Sequence, residues 1–247
     1  MRTYYPEQVV SEFKPTTPYG LKVLKPATNV SKLSATTFEY DRPKKFMKSA
    51  KHKSLIIQKG RWKGSRLFFL SLPEGQTCPD SCPLNTAPTR RWGKGHPEPC
   101  YGVHMPLAKR YDPYAKGFMN ALSDDISLLA SKYKFVVRLH ELGDFFSIDY
   151  VNFWVNSLEE TPNLNIYGYS HRDDDIGLAL DESFQKHPKR FVIMNSSETH
   201  TTNIRPPSFV GERSGHVTCP YETSPPKTKS CITCMLCGQG SIPISFI

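Results

Sequence analysis

The chain has 247 residues, 38% hydrophobic and 22% charged, with a formal charge of +9 and with 21 prolines against 15 glycines. That length supports one large domain with a real core or two small ones, and the proline count announces much irregular chain. No stretch approaches the roughly 18 consecutive apolar residues of a membrane span, and Met1-Arg2-Thr3-Tyr4-Tyr5-Pro6 does not open a signal peptide, so neither a membrane protein nor a secreted one is expected and the cytoplasm is.

Charge is uneven along the chain. Residues 1–60 carry 12 Lys or Arg against four acids, and so hold +8 of the +9. Short apolar pieces such as Leu21-Lys22-Val23-Leu24 and Leu55-Ile56-Ile57 are separated there by Pro15, Pro18, Pro26 and Pro43, with no sustained period of 3.6 or 2. We expect a basic, mostly extended N-terminal arm, which either captures nucleic acid through its phosphates or only solubilises the chain.

Residues 61–210 read differently. Leu67-Phe68-Phe69-Leu70-Ser71-Leu72 has strand character and breaks at Pro73-Glu74-Gly75 into a loop that carries Cys78, Cys82 and, after a long polar insert, Cys100. Tyr114 to Ser131 predicts a helix on the stripe Phe118, Leu122, Ile126 and Leu129. Phe135 to His140 is apolar on most positions, as a buried parallel strand should be, and stops at Gly143-Asp144. Ser147 caps a helix on Val151, Trp154, Val155 and Leu158. Leu164 to Tyr169 is the next strand and Ser170-His171-Arg172 its end. A helix from about Asp174 to Lys186 follows, with Asp173-Asp174-Asp175 at its acidic start. Phe191 to Met194 is a further strand, ending in Asn195-Ser196-Ser197.

Strands alternating with helices at this spacing predict an α/β fold, a partial (βα) barrel of about five or six parallel strands, with residues 211–247 as a C-terminal four-cysteine metal-binding module packed on it. Chemistry in such folds collects at the carboxyl ends of the strands. Here those ends carry the cysteine loop, Arg138 to Asp144, Ser170 to Arg172 and Asn195 to Ser197.

The seven cysteines fall into two groups. Cys219, Cys231, Cys234 and Cys237 offer four thiols within a short span, compatible with zinc or with a four-iron cluster. Cys78, Cys82 and Cys100 have two readings. With His104 they make a closed structural zinc site of three thiolates and one imidazole; without it they hold an iron–sulfur cluster with one iron open. Among titratable groups, Arg138 and His140 alternate along one strand and are expected on one face, with Asp144 and His171 nearby as acid–base candidates. A backbone-satisfied core histidine is the competing account of His140.

Leu72-Pro73-Glu74-Gly75-Gln76-Thr77-Cys78-Pro79, Cys82-Pro83-Leu84, Cys100-Tyr101, Leu139-His140-Glu141-Leu142-Gly143-Asp144-Phe145 and Cys219-Pro220 with Cys231-x2-Cys234-x2-Cys237 resemble a phage family, gene product 88-like, over about Gly64 to Ile247. The insert before Cys100 is longer than that pattern usually has. The family in turn is similar to the radical S-adenosylmethionine superfamily, although the C-x3-C-x2-C spacing is missing. The resemblance implies a four-iron cluster on Cys78, Cys82 and Cys100 with a cofactor held at Gly143 and Asp144, and the strand-end groups Ser170 and Asn195 are expected to join that cofactor site. The amino group of S-adenosylmethionine would be received by Gly143 and Asp144, and the second cysteine group would be a further cluster or a zinc staple. The expected protein is an iron–sulfur enzyme acting on a nucleic acid or nucleotide, in a host's cytoplasm if phage-encoded. The alternative is a non-catalytic nucleic-acid-binding protein with two structural zinc sites.

Overall fold

The computed structural model describes residues 56–82, 110–111, 113–114, 117–197, 202, 204–210, 214–227 and 231–246. Cys100, His104 and nearly all of the basic arm lie outside them. The main sheet has four strands, β1 (Arg66–Leu70), β2 (Phe135–Leu139), β3 (Leu164–Ser170) and β4 (Phe191–Asn195), paired parallel in sequence order. Between them run α1 (Phe118–Ala130), α2 (Ile148–Glu160) and α3 (Asp175–Lys186).

Alternation along the strands divides the sheet into two faces. Phe68 and Leu70, Phe135, Val137 and Leu139, Leu164 and Ile166, and Phe191 and Ile193 point to one side, where they pack with Phe118, Leu122, Ile126, Leu129, Trp154, Leu158, Ile176 and Leu180 of the three helices. All three helices therefore cover the same face. Consecutive strand order with one-sided crossovers is the winding of a barrel, whereas a doubly wound sheet places helices on both faces. The expected α/β, barrel-like class holds. The strand count is smaller than the five or six expected, because among the described residues the fifth strand only begins beside this sheet. The Asn195 amide donates to the Pro206 carbonyl (3.0 Å), and Asn195 bridges Pro207 in parallel. The chain then enters β5 (Ser208–Val210), which joins β7 (Ile244–Phe246) and β6 (Val217–Thr218) in a small second sheet.

Local signals set the element boundaries. The Ser147 hydroxyl accepts the Tyr150 amide (3.1 Å) at the start of α2, and the Asp174 carboxylate accepts the amides of Ile176 and Gly177 at the start of α3. Such caps contribute about 1 kcal/mol each. Asp173-Asp174-Asp175 thus serves as a helix start.

The opposite face of the sheet is covered by irregular chain. Leu67, Phe69, Val136, Tyr167 and Val192 pack there with Ile57, Trp62, Ile232 and Met235. The last two belong to the C-terminal segment that carries α4 (Cys231–Cys234) and a 3-10 turn (Cys237–Gln239), with Met235 between them. Its position is fixed from the N-terminal side by the Gln58 amide, which donates to the Ile232 carbonyl (2.8 Å). What would be the interior of a fuller barrel is filled by this segment.

Candidate functional site at the strand ends

The carboxyl ends of β1, β2 and β3 are drawn into one cluster. After β1 the loop turns back so that the Thr77 hydroxyl donates to the Pro73 carbonyl (2.9 Å) and accepts the Asp144 amide (3.0 Å). Gly143 makes this approach possible. Its φ is +81°, and a Cβ there would lie 2.6 Å from Thr77 Oγ1 and 2.9 Å from the Leu72 carbonyl oxygen. The room a side chain needs at Gly143 is taken by the cysteine loop itself.

Asp144 and Arg172 complete the tie. The Asp144 carboxylate accepts the amides of Phe145 (2.7 Å) and His171 (2.8 Å), with a further bond from the Ser170 side chain. Burial pushes its pKa up, opposed by the His171 amide, the Arg172 guanidinium, Ser170 and the Phe145 amide. Arg172 donates to the carbonyls of Phe145 (2.6 Å) and Thr77 (2.8 Å) and pairs with Asp174 at 3.1 Å. The Ser81 hydroxyl donates to Asp173 (3.1 Å). Cys78 and Cys82, both half-buried, are thereby held over the end of β3. The same loop is clamped where the chain returns: the buried Arg110 meets Glu74 in a two-bonded pair, 2.6 and 2.7 Å.

The candidate residues divide into three places. Cys78, Cys82, Gly143, Asp144, Ser170, His171 and Asn195 surround the mouth. Asn195 ends β4, and its side chain accepts the Ser197 amide (2.9 Å). His140 is elsewhere: it lies past the end of β2 and packs on the helix-covered side, 4.8 Å from the Phe145 ring centroid and 5.7 Å from that of Tyr150, with its Nε2 3.1 Å from the Tyr150 hydroxyl. Burial lowers its pKa to about 3, so it is a neutral core histidine at ordinary pH.

Arg138 takes the third place, on the opposite face. Its guanidinium lies over Phe69 (5.7 Å) and Tyr169 (5.8 Å). The expectation that Arg138 and His140 share a face is corrected here, because the alternation that links them ends with β2 at Leu139. Arg138 is instead in electrostatic reach of Cys237, whose thiol is hydrogen-bonded with Tyr169 and pushed up to about 12 by burial.

Cys219 and Cys231 interact electrostatically with Cys237 as well, so three C-terminal thiols share one neighbourhood. Among the described residues, however, no three Cys, His, Asp or Glu side chains converge on a point that a metal ion could occupy. At the mouth, Cys78 and Cys82, four residues apart, are both half-buried, and Cys100, expected to join them, lies outside the described residues.

Sequence reasoning missed the Arg110–Glu74 clamp and a second buried pair, Arg205 with Asp181. Asp181 had a signal: it follows Leu180 on the apolar stripe of α3, and an acid there calls for a cation. Arg205, in a proline-rich stretch without period, had none.

No helix among the described residues is long and apolar enough to cross a membrane. No curated protein and no solved structure matches the chain. The family model described as gene product 88 matches residues 42–230, starting earlier than the resemblance over Gly64 to Ile247 and stopping before Cys231, Cys234 and Cys237. With more than half its length matched, the chain belongs to the gene product 88 family.

Proposed function

We propose that the mouth of this sheet is the working site of an iron–sulfur, radical S-adenosylmethionine-like enzyme that acts on a nucleic acid or nucleotide. The observation that carries the reading is the tie from Arg172 to Thr77, which holds the Cys78–Cys82 loop over the end of β3 beside Asp144. Cys78 and Cys82, joined by Cys100, would hold the cluster. When bound, such a cluster supplies an iron with a coordination position open to the methionine part of the cofactor. Asp144 is a positioning residue in this scheme, since its oxygens already receive the Phe145 and His171 amides. Arg172 fixes the loop, and the basic arm aids capture of a polyanionic substrate.

The full-length protein, purified anaerobically and reduced, should consume S-adenosylmethionine. An unchanged cofactor pool with the cluster intact would reject turnover. A non-catalytic nucleic-acid-binding protein with structural metal sites is the second reading, favoured by one observation: Ile232 and Met235 fill the face that a barrel enzyme would open to substrate. For either reading, removing residues 1–59 should flatten the fall of nucleic-acid affinity with salt, and an unchanged slope would take the arm out of binding.

A further inference from the structure

Arg205 is 1% exposed and lies between α3 and the end of β4. Its Nε pairs with Asp181, and its Nη2 reaches the Gly177 carbonyl at a long 3.4 Å. The other oxygen of Asp181 accepts the Thr202 hydroxyl. Among the described residues Nη1 has no acceptor, although it is buried. Buried polar groups are almost always paired, so a guanidinium nitrogen left unpaired among the described residues calls for a further acceptor, which a bound oxyanion can supply. Its position suggests what kind. The next residue, Pro206, is bonded to the last residue of β4, and the guanidinium is within electrostatic reach of Asp144. This is the end of a parallel sheet where ligands of such folds bind.

We propose that Arg205 forms an oxyanion subsite of the mouth, in which Nη1 receives a phosphate or carboxylate of the bound substrate or cofactor. A planar guanidinium held on one side by a carboxylate presents its remaining donors in the geometry that oxyanions match, which a lysine cannot reproduce. The inference rests on the mouth being the working site, but it concerns binding alone and is tested without turnover.

The full-length protein is titrated with inorganic phosphate, a nucleoside 5′-monophosphate, the parent nucleoside and acetate, each against chloride of equal ionic strength. Melting temperature and calorimetric affinity are read. Phosphate and the nucleotide should raise the melting temperature beyond chloride; a response to acetate alone would assign the subsite to a carboxylate. Arg205→Lys, which keeps a cation beside Asp181, should weaken the effective anion by at least about tenfold. No anion response, or an unchanged response in the folded variant, overturns the proposal. Should Arg205→Lys not fold, a wild-type crystal soaked in phosphate decides: an anion bonded to Nη1 supports the subsite, and a water or nothing there overturns it. If anions do not bind but S-adenosylmethionine is consumed, only the subsite falls; if anions bind without consumption, only the enzymatic reading does.

Discussion

The two faces of the sheet are closed by different means. On one, three amphipathic helices lay regular apolar stripes over alternate strand residues, and Trp154, Leu158, Phe135 and Phe191 are fully buried. On the other, a short cysteine-bearing segment covers a smaller set, and polar groups intrude: Arg138, Tyr167, Tyr169 and Cys237 lie within reach of one another. The first face is the scaffold. The second is a lid of irregular chain whose fit depends on Ile232 and Met235. The mouth lies where the strands end, and the Asp144–Arg172 network joins it to the scaffold.

The sharpest way to break this picture is through the contact that sets the β2–β3 register. Gly168 is opposite Leu139, and a Cβ there would sit 1.2 Å from the Leu139 carbonyl oxygen. Gly168→Ala should cost more than the roughly 1–3 kcal/mol usual for overpacking, because backbone cannot step aside. Soluble yield and melting temperature check this; a variant melting like the wild type would contradict the register.

The contrast between faces is sharpened by a pair of truncations. Trp154→Ala on the helix side should cost about 3–5 kcal/mol, and Ile232→Ala on the other about 2 kcal/mol, both read by urea unfolding. Equal losses would mean that the C-terminal segment is as integral as the helices. At the mouth, Asp144→Asn replaces one accepting oxygen by a donor that faces the His171 or Phe145 amide, and should cost about 1–3 kcal/mol. Protease sensitivity of the Cys78–Cys82 loop should rise with it, and an unchanged cleavage rate would separate Asp144 from the loop.

Per pH unit, the smallest effect is the pH response of His140. Its folded pKa, about 3, is below the unfolded value near 6.5. The unfolded chain therefore takes up the proton first, and His140's contribution is complete above about pH 6.5 and is lost as pH falls toward 3. The slope from this group is at most about 1.4 kcal/mol per pH unit. His140→Phe should remove it from the urea-derived stability profile between pH 7 and 4.5; a slope that persists unchanged would place the titration in other groups.

Much of the scaffold was legible in the sequence because its signals are local. The stripes Phe118–Leu122–Ile126–Leu129 and Val151–Trp154–Leu158, the Ser147 cap and the four apolar strands all appear where expected. The helix after the cysteine loop starts later than read, at Phe118 instead of Tyr114, behind Gly117 in a left-handed conformation. The site was legible only in part. That the cysteine loop, Gly143-Asp144 and Ser170-His171-Arg172 belong together follows from strand ends in a parallel sheet. Which side His140 takes could not be read from alternation once the strand had ended. The Arg205–Asp181 pair joins a helix to an irregular stretch, and no local pattern announces such a meeting.

The most direct test of the central claim is metal content at the mouth. Iron, zinc and acid-labile sulfide are measured with the absorption spectrum on anaerobically purified full-length protein, beside Cys78→Ala and Cys234→Ala. A brown protein whose iron and sulfide are stripped from the mouth by Cys78→Ala, with that share kept in Cys234→Ala, is the predicted result. A colourless protein holding zinc alone, or iron indifferent to the loss of Cys78, would contradict it.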